Sequence, residues 1–288
     1  MSDLEIRERV PGAWGGHLVG ALVGRHPSLR PIHAYRAALG IAETFERTPE
    51  MAAGLAFEPG LLRLAAERLE VKLRRVRPMF WSEGAWLRAA PDAQIQGRDE
   101  LVSAKWVGFY NRRAWGGDES DAVPAYVAIQ EHVYMGIMGC SISHVLASLG
   151  GGAPRYFAVP FRPRLWELLI ERCFDFRRRY VETETPPPPD GSSAFDRFLS
   201  AEVRQVRTDV RPATAEEIEL CRSYRAARIA EKEASRRLAT IKQELKLRID
   251  GFGGIETPDG AVTCAADKRG TRSVRVPRKW DAPEEIEE

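Results

Sequence analysis

The fold is decided by residues 85–107, which read AWLRAAPDAQIQGRDELVSAKWV. Two strand-like runs, 85–90 and 101–107, flank a turn-forming stretch in which Asp92 follows a proline. Pairing of the two runs as a hairpin would bring Asp92, at the end of the first run, close to Lys105 in the second. A lysine inside an otherwise apolar strand needs a partner or a function, and Asp92 is the nearest candidate.

The segment upstream, residues 50–69, predicts a helix with one carboxylate on its apolar face. The stripe recurs at steps of four and three residues and consists of Met51, Leu55, Glu58, Leu62, Ala65 and Leu69. Pro59 predicts a kink, or a helix that begins at 58–59. A helix carboxylate beside an aspartate and a lysine at strand ends is the arrangement of a Mg²⁺-dependent phosphodiesterase. The carboxylates hold the cation through oxygen, and the lysine positions or deprotonates the attacking water.

The rest of the chain predicts further strands and helices around this pair. Strand-like runs occupy 71–81, 143–149 and 155–161, and helical patterns occupy 123–138 and 163–181. The order α–βββ–α–ββ–α predicts an α/β (α+β) protein with a central mixed sheet flanked by helices. A long amphipathic helix and a β-hairpin end the chain.

The chain divides into three predicted parts. Residues 1–185 form the domain that carries the sheet, 186–213 form a Pro-rich linker and connecting segment, and 214–288 hold the long helix, the hairpin and an acidic tail. The run Pro186–Pro189 followed by Asp190-Gly191 marks the start of the linker.

Composition narrows the class of protein. No apolar run approaches the ~20 residues that cross a bilayer, and the N-terminus lacks a basic and then apolar signal, so we expect a cytoplasmic protein without a membrane partner. The four cysteines are far apart and predict reduced thiols, not a zinc site or disulfides. The net charge of +2 conceals basic clusters, which permit nucleic-acid binding without requiring it.

Four motifs together resemble a nuclease family. They are Gly54-Leu-Ala-Phe-Glu58-Pro59, Ala90-Pro91-Asp92, Leu101-Val-Ser-Ala-Lys105 and Gln130-x-x-x-Tyr134. Over roughly residues 10–190 the chain resembles the YqaJ viral recombinase and lambda-exonuclease type of PD-(D/E)-x-K nucleases. The opening Trp14-Gly15-Gly16-His17 is similar to the family's Gly-Gly-Ser motif. The resemblance implies the restriction-endonuclease-like fold.

The resemblance also implies a function and a set of site residues. It implies a Mg²⁺ (or Mn²⁺) dependent exodeoxyribonuclease that degrades linear duplex DNA from the 5′ end, in a bacterial host, for a phage or prophage. The implied partners are duplex DNA ends, a single-strand annealing recombinase and further copies of the chain. The implied residues are Glu58 and Asp92 as metal ligands, Lys105 as the catalytic lysine, and Gln130, Tyr134, Arg112 and Arg113 on the DNA side.

Two positions depart from the family pattern. The family has Glu or Asp two residues before the lysine, where this chain has Ser103, and it has serine where this chain has His17. Some restriction endonucleases with Ser-x-Lys take the missing acid from a downstream helix. Three acids lie downstream of the strand, and the sequence does not choose among them: Asp118, Glu119 and Glu131.

Ordinary structural interpretations stay open for the same residues. Asp92 after proline is a common turn former, Glu58 is a possible helix cap, and Lys105 could extend from a sheet edge. Ser103 therefore supports a second hypothesis, a catalytically impaired nuclease fold that binds DNA or a recombination partner. A third is an unrelated α/β scaffold, in which Glu58, Asp92 and Lys105 would not converge.

Overall fold

The computed structural model describes residues 12–41, 48–80, 86–202, 210–266, 268 and 270–277. The chain forms two compact units, residues 1–205 and 206–288. Within the described residues, no helix combines the length and the apolar character needed to span a bilayer.

A five-stranded mixed sheet forms the centre of the first unit. Its strands, in spatial order, are β2 (Leu73–Arg74), β5 (Ala93–Ile95), β6 (Glu100–Val107), β7 (Ile142–Leu149) and β8 (Arg155–Pro160). The pair β6–β7 is parallel, and the other neighbours are antiparallel. This confirms the predicted mixed sheet.

Helices flank the sheet on both faces. They are α1 (Gly16–Leu22), α2 (Pro31–Ala38), α3 (Pro49–Arg68), α4 (Ala125–Met138), α5 (Pro163–Phe176) and α6 (Ser193–Glu202). A 3-10 helix, Phe109–Ala114, follows β6, and a π-helical turn, Arg177–Val181, extends α5. The runs 123–138, 143–149, 155–161 and 163–181 therefore form elements of the predicted type.

Alternation along the strands divides the core in two. On one face, Leu101, Val145 and Phe157 pack with α4 in the larger apolar cluster. On the other face, Val102 and Leu146 pack with Leu61 and Ala65 of α3, among others. We call these the α4 face and the α3 face of the sheet.

The predicted hairpin between runs 85–90 and 101–107 is wrong in its first strand. Leu87–Ala89 forms β4, which pairs with β1 (Trp14–Gly15) and β3 (Met79–Phe80) in a separate three-stranded sheet. The strand that pairs with β6 is β5, directly after Asp92, with Ala93 opposite Val102. Pro91 explains the difference, since a residue without an N–H interrupts a ladder and separates the two short strands. Gly97, at φ +79°, then allows the tight return into β6.

Two other predicted elements differ in detail. The run 71–81 divides into β2 and β3, in different sheets, because Pro78 interrupts it; residues 81–85 lie outside the described residues. The predicted helix at 50–69 is one continuous helix, α3, with Pro59 inside it. It begins at Pro49, where the Thr48 hydroxyl accepts a hydrogen bond from the Met51 N–H. A helix start at 58–59 is therefore excluded.

The segment predicted as a linker contains a helix. Within 186–213, α6 contributes Ala194, Phe195 and Phe198 to the larger apolar cluster. Two buried phenylalanines explain why this part is packed and not extended. As an assignment of domains, the three predicted ranges remain a prediction.

The second unit has the predicted long helix and a small sheet. Helix α7 (Ala215–Ile249) begins with a capping box between Thr214 and Glu217. Strands β9 (Gly254–Ile255), β10 (Val262–Ala266) and β11 (Arg272–Arg275) form an antiparallel sheet in the order β11-β10-β9. Ile249, Val262 and Cys264 form its core. The acidic tail, 284–288, lies outside the described residues.

Candidate active site

Asp92 directly precedes β5 and lies beside the middle of β6. Its Oδ2 accepts a hydrogen bond of 2.8 Å from the backbone N–H of Ala104, because Ala93 pairs with Val102 and places the preceding residue beside the next part of β6. The carboxylate is therefore fixed next to Lys105, as the sequence predicted, although through a different strand.

Lys105 is held by two residues of α4. Its Nζ, on a side chain that is 19% exposed, donates to Oε1 of Gln130 at 3.0 Å. The Gln130 amide nitrogen donates in turn to the Tyr134 hydroxyl at 2.7 Å. Gln130 and Tyr134 lie one helical turn apart on the same face, so Tyr134 orients the amide whose oxygen binds Lys105. Tyr134 itself is buried, which makes it a poor candidate for direct contact with DNA.

Glu131 stands beside Ser103, where the family pattern has an acid. Its side chain is fully buried. Its Oε2 accepts hydrogen bonds from the hydroxyls of Ser103 at 2.9 Å and Ser143 at 2.7 Å. Its Oε1 lies 3.4 Å from Nζ of Lys105 and has no hydrogen-bond partner. Of the three downstream acids, this one alone meets the Ser103–Lys105 face of β6 in the described structure.

The charges at this point interact strongly. Burial raises the pKa of Asp92 to about 6; the charges of Glu58 and Glu131 add to the rise, while Lys105 and the Ala104 N–H oppose it. Burial by itself would lower the pKa of Lys105, but Glu131, Tyr134 and Asp92 together raise it. Lys105 is therefore a cation at neutral pH, and Glu58 lies within electrostatic range of Asp92.

The carboxylate oxygens of this site are the type of ligand that a hard divalent cation prefers. Mg²⁺ is usually bound by one or two carboxylates and retains several waters, and this site offers Asp92, Glu131 with its unpartnered buried oxygen, and Glu58 nearby. Among the described residues, no group of three or more His, Cys, Asp or Glu side chains is placed so that it could hold a metal ion by itself. These oxygen donors are of the kind that a hard divalent cation takes, with water and substrate as its remaining ligands.

The other two candidate acids are paired elsewhere. Asp118 and Glu119 accept hydrogen bonds from the same guanidinium, that of Arg68, at 3.0 and 2.9 Å. The Asp118 carboxylate also accepts from the Tyr156 N–H, which lowers its pKa. These contacts explain why neither acid is available to replace the missing ligand.

Arg112 and Arg113 are exposed on the 3-10 helix that follows β6. The Arg112 guanidinium lies over the Phe109 ring, 3.9 Å from its centroid. With Arg155, the two arginines line a cleft of about 680 Å³ at the ends of β6 and β7. They are therefore positioned to meet an anion from solvent.

The Gly-Gly-His opening packs against α4. A Cβ at Gly16 would lie 2.7 Å from Cα of Gln130, so only glycine allows α1 to approach α4 this closely. Desolvation of the ring lowers the pKa of His17 to about 4, with His26, Arg88 and Lys105 adding to the effect, although part of the residue is exposed to solvent; its imidazole is therefore neutral at pH 7. His17 therefore differs from a serine in shape, but it brings no charge at neutral pH.

Sequence reasoning did not choose Glu131, yet one signal was available. Helix α4 is apolar almost throughout, and its residues from Glu131 to Met135 are all buried. A carboxylate inside such a helix needs a buried partner. Because the helix is buried on most sides, apolar periodicity could not show which side faces β6.

Comparison with known proteins agrees with this fold. Residues 7–141 match the family model described as the YqaJ-like viral recombinase domain. An alkaline exonuclease from Laribacter hongkongensis superimposes with a TM-score of 0.50 at 12% identity, over 67% of this chain and 95% of that one. A phage-related exonuclease from Haemophilus somnus 129PT gives a TM-score of 0.44 at 11% identity, over 59% and 94%. No curated protein sequence gives a significant match.

The match to the Laribacter protein shows a shared fold, which includes a central mixed sheet with flanking helices. The family match covers β1 to α4, and so includes Asp92, Ser103, Lys105 and Glu131. Residues 7–141, just under half of the chain, are therefore similar to the YqaJ-like viral recombinase domain.

Proposed function

We propose that the protein is a Mg²⁺-dependent exodeoxyribonuclease that degrades one strand of linear duplex DNA from the 5′ end. The observation that carries the proposal is the convergence of Asp92, Lys105 and a buried carboxylate at one point of the sheet. The family, that of a viral recombinase domain, makes a DNA substrate the best match to this chemistry. An annealing recombinase and a homo-oligomer remain predictions from the resemblance.

The roles of the acidic residues follow from their position. Glu58 and Asp92 would hold the cation, which when bound lowers the pKa of a coordinated water and neutralises charge on the scissile phosphate. Asp92 contributes because the Ala104 N–H fixes one of its oxygens and so orients the other. Its raised pKa means that the carboxylate is most available above about pH 6.

Lys105 acts as a fixed positive charge in this proposal. Its pKa is raised, so it is protonated at neutral pH and does not serve as a general base before a cation binds. Gln130, itself oriented by Tyr134, accepts a hydrogen bond from Nζ and so fixes the position of the Lys105 ammonium group. The ammonium group then positions the attacking water and stabilises the negative charge that develops on the phosphate.

Arg112, Arg113 and Gln130 form the DNA side. Both arginines are exposed and can neutralise phosphates along the duplex. Gln130 is partly buried and lies beside Lys105. The buried Tyr134 hydroxyl accepts a hydrogen bond from the Gln130 amide and so fixes its orientation. Tyr134 is therefore proposed as a positioning residue and not as a DNA contact.

The test is cleavage of linear duplex DNA by the purified protein with Mg²⁺. Duplexes labelled at the 5′ or the 3′ end report polarity, and a covalently closed circle without ends separates exonuclease from endonuclease action. We expect the linear duplex to shorten from its 5′ end, no cleavage in EDTA, and no cleavage by Asp92→Ala. The matched control is Asp99→Ala, an exposed aspartate in the β5–β6 turn.

Two outcomes would contradict the proposal. If Asp92→Ala degrades linear duplex as fast as the wild type, the site around Asp92 does not carry out the cleavage. Tight DNA binding without cleavage in Mg²⁺ or Mn²⁺ would favour the alternative, an impaired nuclease fold that binds DNA or a recombination partner.

A further inference from the structure

We propose that Glu131, a residue of α4, supplies the metal-binding carboxylate that β6 lacks at Ser103. This inference rests on the proposed function, because it assigns a ligand to the same site. In the family pattern the acid stands at position 103 on β6. In this chain the carboxylate of Glu131 on α4 lies beside that position.

The position of Glu131 carries the first step. Ser103 and Lys105 point to the α4 face, and the Ser103 hydroxyl donates to Glu131 at 2.9 Å. An acid at position 103 would itself point into the space that the Glu131 carboxylate fills. A small serine leaves that space open and also gives the incoming carboxylate a hydrogen bond. Ser103 on β6, where the family pattern has an acid, and Glu131 on α4 can therefore together provide one carboxylate at this site.

The hydrogen bonds of Glu131 carry the second step. Both serine hydroxyls, from Ser103 and Ser143, donate to Oε2. They fix the carboxylate while Oε1 stays without a hydrogen bond, at 0% exposure of the residue. An ionised carboxylate oxygen can accept more than one partner, so Oε1, which faces the Lys105 ammonium at 3.4 Å, can also bind a divalent cation.

The surroundings of Oε1 carry the third step. Lys105 Nζ is 3.4 Å away, and Asp92 is near enough for the Glu131 charge to raise its pKa. The free oxygen therefore lies with the residues that the proposed function already uses. The carboxylates of Glu131 and Asp92 and the Lys105 ammonium therefore form one charged cluster on the α4 face.

The rival interpretation is that Glu131 only neutralises Lys105. A buried lysine needs an opposite charge, and loss of either member of such a pair is destabilising. The two interpretations differ in metal affinity. A mere counter-charge would affect the free energy of unfolding but leave divalent-cation binding through Asp92 intact.

The experiment measures Mn²⁺ binding by isothermal titration calorimetry on the full chain without DNA, together with thermal unfolding and cleavage of linear duplex. The variants are Glu131→Gln, the exchange Ser103→Glu/Glu131→Ser, which swaps the two side chains, and the exposed control Glu119→Gln. We expect Glu131→Gln to weaken Mn²⁺ binding roughly 10-fold or more and to abolish measurable cleavage. The exchange variant should regain both, because it returns the carboxylate to β6, and Glu119→Gln should match the wild type.

A Glu131→Gln protein that binds Mn²⁺ as tightly as the wild type would overturn the inference, and so would an exchange variant that folds but binds none. If Glu131→Gln does not fold, the exchange variant decides alone, since it keeps a carboxylate beside Lys105. A wild type that binds no Mn²⁺ contradicts both this inference and the metal dependence of the proposed function. If Mn²⁺ binding depends on Glu131 but no DNA is cleaved, the ligand assignment holds and the proposed function fails.

Discussion

The two faces of the central sheet each carry a buried polar network, and they differ in one respect. The α3-face network consists of Glu100, His144 and Tyr156, one residue from each of β6, β7 and β8. His144 lies 2.8 Å from the Glu100 carboxylate and 2.6 Å from the Tyr156 hydroxyl. The α4-face network consists of Asp92, Ser103, Lys105, Gln130, Glu131, Tyr134 and Ser143. Neighbouring residues of the same strands thus build both networks.

The α3-face network is closed, whereas the α4-face network is open. With the proton on Nε2, His144 donates to Glu100 and accepts from the Tyr156 hydroxyl, so both ring nitrogens are satisfied. On the α4 face, Oε1 of Glu131 is buried without a hydrogen bond. The closed network leaves neither ring nitrogen of His144 free for a ligand, whereas Oε1 of Glu131 faces the Lys105 ammonium at 3.4 Å and can still accept a further ligand. This difference supports the α4-face network, and not the α3-face network, as the candidate active site.

The largest expected effect follows from removing the cation of the open network. Lys105→Met should reduce cleavage by roughly a thousandfold, since it removes the positive charge beside the phosphate. It should also lower the free energy of unfolding by about 3 kcal/mol, because Glu131 is left as a buried charge without an opposite charge. Urea unfolding and the cleavage assay measure both effects. Lys72→Met, at an exposed lysine, is the control, and a Lys105→Met protein as stable as the wild type would contradict the pairing.

The next effect depends on pH and concerns Asp92 without metal. Its pKa is about 6 in the folded protein against 3.8 in its ordinary state, so folding favours the protonated form. The protonated Asp92 side chain therefore stabilises the folded state fully below about pH 4, and this contribution to the free energy of unfolding is lost as the pH rises through 6. Asp92→Asn, which keeps an acceptor for the Ala104 N–H, should therefore be about 2 to 3 kcal/mol more stable than the wild type at pH 8 in EDTA.

The advantage of Asp92→Asn should vanish near pH 4, where both proteins are neutral at this position. Mn²⁺ at pH 8 should stabilise the wild type and leave the variant unchanged, because ligand binding to the folded state adds to its stability. Asp99→Asn provides the exposed control. Urea unfolding at the two pH values measures the effect, and a variant less stable than the wild type at pH 8 in EDTA would contradict the cost of the buried charge.

The sequence predicted the two networks unequally, for physical reasons. The approach of Asp92 to Lys105 follows from local chain reversal, and it holds although β5 and not β4 makes the pairing. The choice of Glu131 over Asp118 and Glu119 depends on how α4 rotates onto the sheet, which helix packing decides and local periodicity does not. The α3-face network was not predicted, because Glu100, His144 and Tyr156 meet only after β7 and β8 have paired with β6.

The smallest effect should come from a substitution in the closed α3-face network, which should change stability and leave cleavage unchanged. Tyr156→Phe keeps the ring on which the Arg68 guanidinium packs, 5.1 Å from its centroid, but removes the hydroxyl that satisfies Nδ1 of His144. Leaving that buried nitrogen without a partner should cost about 1 kcal/mol of unfolding free energy. Mn²⁺ affinity and cleavage per folded molecule should not change, because the hydroxyl lies on the opposite face from Lys105. Calorimetry and urea unfolding of the same preparation measure both quantities. A loss of Mn²⁺ binding in Tyr156→Phe would mean that the two faces are coupled, and closure of a network would then no longer separate structure from function.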